Sequence, residues 1–204
     1  MRSLLPQQID EVLGLLGEGS VVALPTDTVY GLAARLDQPE GVRRLFGAKR
    51  RPDSLALPLL AADVPSIEAL LGREDGGLER VAAACWPGAL TLVISAPLPL
   101  AAQLGASDAT IGVRIPDDGW LRILLRRSGA LAGSSANRHG HPPCQSAGEV
   151  RAALDGNSLV AAVVDGGQRS APASTVISIV SGEAVELRAG PVPLAKVAAA
   201  LSAG

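Results

Sequence analysis

Residues 25–32, Pro25-Thr26-Asp27-Thr28-Val29-Tyr30-Gly31-Leu32, place two threonine hydroxyls, a carboxylate and a phenol within five positions, directly after the apolar run at 21–24. Polar groups gathered at the end of a buried strand are where α/β proteins often orient small ligands. The same letters also suit a Ser/Thr or Asx turn capped by Thr26 or Asp27, with Tyr30 filling the core edge. Lys49 and Arg51 lie two apart. On an extended backbone they share a face and can meet one anion, Arg51 as a bidentate fork and Lys49 as a point charge. In isolation a solvated charge run, continued by Arg43 and Arg44, is the stronger reading of the pair. Thr110 and Arg114 bracket an apolar stretch at even spacing. A buried Arg114 would need an anionic partner, either Asp117 or Asp118 or the carboxylate of a ligand. Gly133-Ser134-Ser135-Ala136-Asn137 offers small residues whose amides and hydroxyls can approach a phosphate closely, or is an ordinary polar loop. Ser174 and Arg188 stand at the ends of late apolar runs and say little alone.

Other chemistries are absent from the pattern. There is no G-x-x-x-x-G-K-[ST] loop, no G-x-G-x-x-G and no nucleophile elbow. His139, His141 and Cys144 give three donors without a clear fourth, so no metal site is expected.

The elements that must hold these groups follow from periodicity. Ile9, Val12, Leu13 and Leu16 mark a helix stopped by Gly17 and Gly19, and 21–24 reads as a buried strand. Helices are expected over 40–46, 66–71, 78–84, 120–127 and 194–201. One more runs from a capping box at Ser146 and Glu149 toward Leu154. Strands are expected over 90–95, 111–115, 130–132, 160–164, 175–180 and 184–187, with 55–62, interrupted by Pro58, as an edge strand. Strands interleaved with helices predict an α/β sheet covered by helices, and no linker or repeat divides residues 1–204 into more than a single domain.

With 18 basic and 20 acidic residues the net charge is −2, which gives no overall pull toward nucleic acid or an anionic membrane. Four aromatic residues, Tyr30, Phe46, Trp86 and Trp120, are too few for a base-stacking platform. Two unpaired cysteines and no run of about 20 apolar residues predict a cytoplasmic protein without a membrane span.

Taken in order, seven motifs resemble the YrdC-like threonylcarbamoyl-AMP synthase family over nearly the whole chain. They are Pro-Thr-Asp-Thr-x-Tyr-Gly-Leu at 25–32, Lys-x-Arg-Pro at 49–52, Trp-Pro-Gly-x-Leu-Thr-Leu at 86–92, Thr-x-x-x-Arg-x-Pro at 110–116, Ser-Ala-Asn at 135–137, Ser-Thr-Val at 174–176 and Leu-Arg-x-Gly at 187–190. The resemblance implies a twisted mixed α/β sheet with helices packed on it, enclosing a deep, locally positive cavity. It implies a nucleotidyltransferase that makes L-threonylcarbamoyl-AMP from ATP, L-threonine and bicarbonate. Mg²⁺ would accompany the ATP, no cofactor would be permanently bound, and the product would pass to a tRNA threonylcarbamoyl-transferase complex. Carried over by position, Thr28, Tyr30, Arg114, Ser174 and the backbone at Gly133 would hold threonine. Arg51, Thr110, Ser135, the backbone at Pro143 and Arg188 would surround ATP. Lys49, Arg51, Ser135 and Asn137 would act on bicarbonate and phosphate. This chain departs from the family pattern at Leu55, at Leu60, at Gly133-Ser134 and at Arg138-His139-Gly140, and it resembles the short bacterial form. An RNA-binding module, or a relative with changed activity, are the rival readings.

Overall fold

The computed structural model describes residues 1–49, 56–138 and 140–203. In chain order the elements are β1 (Arg2–Leu4), α1 (Ile9–Gly17), β2 (Val21–Pro25), β3 (Tyr30–Arg35), α2 (Pro39–Lys49), β4 (Leu59–Leu60), α3 (Val64–Leu71), α4 (Gly76–Cys85) and β5 (Leu90–Ser95). They continue with α5 (Leu98–Gln103), β6 (Thr110–Arg114), α6 (Gly119–Ser128), β7 (Leu131–Ser135), α7 (Ala147–Ala153), β8 (Val160–Val164), β9 (Thr175–Ser178), β10 (Val185–Arg188) and α8 (Leu194–Ser202). All the strands join one sheet in the order β1-β8-β2-β3-β7-β4-β6-β5-β9-β10. The pairs β1·β8, β2·β8, β4·β6 and β5·β9 are parallel and the others antiparallel, so the sheet is mixed.

Short polar side chains start the helices where the sequence supplies them. Asp63, Asp75, Asp118 and Ser146 accept the backbone N–H of Ser66, Leu78, Leu121 and Glu149, which satisfies orphan donors of the first turn. In the last of these Glu149 reaches back to the amide of Gln145, completing the expected capping arrangement one residue early.

The alternation of strand side chains assigns each face of the sheet a different fate. Leu32 and Ala34, Leu59, Leu90, Leu92 and Ile94, Ile111 and Val113, and Ile177 belong to a large core shared with α2, α3, α4, α7 and α8. On the opposite face a smaller core of Val22, Leu24, Ala33, Leu131, Ala162 and Val164 is covered by Val12 and Leu16 of α1 and Leu121, Leu124 and Leu125 of α6. That second cover spans only the β1-to-β7 half. Over β4, β6, β5 and β9 the residues alternating with the core positions are Leu60, Gly112, Arg114, Thr91, Val93 and Val176, and these line a cavity.

Four elements differ from the sequence reading. β3 was not expected, because Gly31, Ala33 and Ala34 have weak strand preference and their strand is fixed by pairing with β2 and β7. The 55–62 segment contributes a two-residue strand in the interior of the sheet, between β7 and β6, and not at an edge. Pro58 is accommodated there because it lies just outside the ladder and uses only its carbonyl, which accepts the Gly133 N–H at 2.8 Å. β1 and α5 also lacked a sequence signal of useful length. Among the described residues no helix is long and apolar enough to cross a membrane.

Candidate active site

The turn joining β2 to β3 is built by Thr26. Its Oγ1 accepts the N–H groups of Thr28 and Val29 at 3.1 and 3.2 Å and donates to the Val29 carbonyl at 2.7 Å. Thr26 is thus the turn residue, and the turn leaves Asp27 and Thr28 pointing at Arg114. Arg114 Nη2 meets Asp27 Oδ1 at 2.7 Å, Nη1 donates to Thr28 Oγ1 at 3.1 Å, and Nε donates to the Gly88 carbonyl at 3.1 Å. Of the partners expected for Arg114, a carboxylate at Asp117 or Asp118 or that of a ligand, the structure supplies a protein carboxylate, and it is Asp27. Asp118 is occupied elsewhere, capping α6 and lying 3.2 Å from Arg169 Nη2. The side chains of Arg114 and Asp27 are only 8% and 12% exposed, so the pair is held away from bulk water. A guanidinium has five N–H donors, and three are used in these bonds.

Across the cavity, Arg188 turns its guanidinium back from the exposed edge strand. Nε and Nη2 donate to the Ser174 carbonyl at 3.1 and 2.8 Å, and Nη2 also donates to Ser174 Oγ at 3.1 Å. Partial loss of water around Arg188, and then the positive charge of Arg114, lower its affinity for its proton. Two guanidiniums that repel one another across one space favour an anion between them.

The cavity, of about 410 Å³, is lined by Thr28, Tyr30, Thr110, Arg114, Gly133, Ser135, Pro143, Ser174 and Arg188, among others. That size lies within the usual range for a small-molecule site. Nine residues chosen from the sequence are thereby brought to one cavity, from segments spread over 160 positions of chain (28 to 188). Its floor is low where Gly133 and Gly112 stand in the strands. A Cβ on Gly133 would lie 3.4 Å from the Leu60 side chain, and one on Gly112 would lie 3.4 Å from Thr91 Cγ2, so any larger side chain would rise into the space.

Lys49 and Asn137 take a different position. Lys49 is buried at the end of α2, where Nζ donates to the carbonyl and Oγ of Ser135 at 2.7 and 3.0 Å, to the Asn137 carbonyl at 2.9 Å and to Asn137 Oδ1. Ser135 Oγ donates to the same Asn137 Oδ1 at 2.6 Å, and Asn137 Nδ2 donates to the His141 carbonyl. The ammonium thus underpins the Ser135–Asn137 loop from behind the cavity wall, and the surface charge run proposed as its alternative does not hold. Arg51, Leu55 and His139 lie outside the described residues. Tyr30 is among the lining residues and is fully buried, packed in the larger core. Its hydroxyl donates to the Gly167 carbonyl at 2.8 Å and accepts the Gly166 N–H at 3.1 Å, and burial raises its pKa above the ordinary 10.0. Thr110 donates to Asp108 at 2.7 Å. Among the described residues no group of three or more His, Cys, Asp or Glu side chains is placed to hold a metal ion.

Sequence reasoning gave no role to Asp27 as the arginine's partner, to Gly88 or to Thr91. For Thr91 a signal existed: in Leu90-Thr91-Leu92-Val93-Ile94 it is a polar residue on the face opposite the leucines. It is 7% exposed, and Thr91 Oγ1 lies 3.0 Å from Ser174 Oγ.

A family model for Sua5, YciO and YrdC proteins, described as "Telomere recombination", matches residues 14–190. The threonylcarbamoyl-AMP synthase of Bacillus subtilis is 37% identical over 186 residues, which are 90% of this chain and 53% of that protein. The chain thus spans about half the length of that relative. A putative threonylcarbamoyl-AMP synthase of Mycobacterium tuberculosis is 34% identical over 194 residues, covering 95% of this chain and 88% of the other. Among solved structures, Pyrococcus abyssi Sua5 complexed with L-threonine aligns at a TM-score of 0.87 and 31% identity, over 98% of this chain and 60% of that one. Escherichia coli YciO shares the fold, with a TM-score of 0.83 at 19% identity over 96% and 98% of the two chains.

Proposed function

The chain belongs to the Sua5/YciO/YrdC family, and from that footing we propose that it is a threonylcarbamoyl-AMP synthase. The observation that carries this reading is the convergence of Arg114, Thr28, Ser174 and Arg188 on one cavity. It offers a cation with two N–H donors to spare for a carboxylate, hydroxyls for a small polar amino acid, and a second cation for phosphate. One relative is known in complex with L-threonine.

In this proposal Arg114 pairs with the threonine carboxylate. Thr28, Ser174 and the backbone at Gly133 seat the rest of the amino acid, with Tyr30 on the wall. Arg188, Thr110, Ser135 and the backbone at Pro143 surround ATP, which brings Mg²⁺ on its phosphates. The amine nitrogen of threonine bonds to the carbon of bicarbonate with loss of water, giving a carbamate. A carbamate oxygen then bonds to the α-phosphorus of ATP, the bond to the β-phosphate bridge oxygen breaks, and pyrophosphate leaves. The reaction is thus a nucleotidyl transfer that needs no side-chain nucleophile. Arg51 and Arg188 stabilise charge growing on the phosphoryl oxygens, as fixed donors do in a partly dry site. Lys49 acts through the Ser135–Asn137 loop that it holds, adding positive charge behind it. Holding three reactants in one small space supplies the positional advantage. The adenylate is then handed in the cytoplasm to a complex that modifies tRNA, and residues 1–204 work as a single domain.

The test is to incubate the purified protein with MgATP, L-threonine and bicarbonate. Pyrophosphate release that requires all three, with a product of the mass of threonylcarbamoyl-AMP, is expected. Release that ignores threonine refutes the proposal, and Arg51→Ala should abolish a genuine signal.

A further inference from the structure

Ser174 Oγ is approached by two protein groups with different hydrogen-bonding capacities. Arg188 Nη2, 3.1 Å away, can only donate. Thr91 Oγ1, 3.0 Å away on β5, could donate or accept. Both hydroxyls line the cavity, and Arg188 already fills one lone pair of Ser174, so the Thr91–Ser174 pair shares one proton between its two oxygens and leaves one O–H to point at whatever occupies the cavity.

We infer that Thr91 is a positioning residue that holds the Ser174 hydroxyl, so that the pair presents one hydrogen-bond donor to the ligand. Resting on the function proposed above, that ligand is the bound threonine. The geometry supports a dedicated role for the Thr91 side chain. Its methyl lies against the position where a Gly112 Cβ would stand, and branching at Cβ restricts χ1, so the hydroxyl is held toward β9. Arg188 reinforces the effect, because an acceptor bond from a cation makes the Ser174 O–H a stronger donor.

The experiment compares Thr91→Val, which keeps the shape and removes the hydroxyl, with Thr91→Ser, which keeps the hydroxyl. Steady-state rates are measured with threonine varied at saturating ATP and the reverse. Thr91→Val should raise the threonine KM roughly five- to tenfold, the loss of about one hydrogen bond, with ATP KM unchanged. Thr91→Ser should stay within about twofold of the parent. Ser174→Ala combined with Thr91→Val should be no worse than Ser174→Ala alone, since both act through one proton. A wild-type threonine KM in Thr91→Val, an equal rise in the ATP KM, or losses that multiply in the double variant would each overturn the inference. If Thr91→Val does not fold, the same cycle is run with Thr91→Ala, using calorimetric binding of L-threonine. A parent enzyme with no threonine-dependent pyrophosphate release defeats the function itself. An active parent with an indifferent Thr91→Val defeats only the role of Thr91.

Discussion

Replacing Arg114 by Met separates what this arginine does for the fold from what it does for the ligand. Methionine fills much of the same length but removes three donors, to Asp27, Thr28 and Gly88. The Asp27 carboxylate, 12% exposed, then faces a weakly hydrated site without its cation. Breaking a buried pair by deleting one partner typically costs about 3–5 kcal/mol, and the residual access of Asp27 to water places the expected loss near ~3 kcal/mol. Neutralising the survivor should return part of it: Asp27→Asn in the Arg114→Met background should be about 1–2 kcal/mol more stable than Arg114→Met alone. Urea unfolding of the parent, both single variants and the double variant gives the full cycle. Calorimetric titration with L-threonine, run beside it, should show binding lost in Arg114→Met and not restored in the double variant. Two results would refute the reasoning. Arg114→Met losing less than about 1 kcal/mol would mean the pair is not a desolvated one. Threonine binding that survives with stability lost would leave Arg114 a structural residue only.

Gly112→Val should fold with a stability change under about 1 kcal/mol, because its first carbon makes ordinary contact with Thr91 and Pro58, yet threonine binding should vanish as the cavity floor rises. Lys49→Met should lower stability by about 3 kcal/mol by leaving the acceptors of Ser135 and Asn137 short of a charged donor, and hydrogen exchange across 135–137 should quicken. Burial, and then the charge of Glu149, push the Cys144 thiol from its ordinary 9.0 up to about 11. The folded state holds that proton more tightly than the unfolded one. Its contribution is therefore complete below pH 9 and is lost as the pH rises through 11, by about 2–3 kcal/mol in all. Cys144→Ala should flatten the fall of unfolding free energy across that window, and the native thiol should resist alkylation at pH 8.

Much of this was legible before any coordinates. Long apolar periods gave α1, α4, α6 and α8 and the strands β5, β6 and β8, because in those stretches side-chain burial dominates every other preference. The motifs carrying Thr28, Arg114, Ser135 and Ser174 also pointed to one site, and those residues do line one cavity. What the letters could not convey were relations between strands. β3 is held by its neighbours more than by its own alanines and glycine. β4 owes its interior place to parallel pairing with β6 and antiparallel pairing with β7, whose partners Val113 and Ala132 lie several elements further along the chain from Leu59. Asp27 read as a turn residue because its pairing with Arg114 spans 87 positions of sequence. Lys49 read as a surface charge because nothing local announces that a loop 86 residues later will supply its acceptors.

The half-covered sheet has an evolutionary corollary. Along β5 and β6 the residues largely alternate between anchoring the apolar interior and lining the cavity, with Ile111 doing both. The cavity's shape can therefore change at Thr91, Val93 and Gly112 while the apolar interior is left to their neighbours. Such a division of labour is one route by which proteins sharing as little as 19% of their residues come to superimpose so closely.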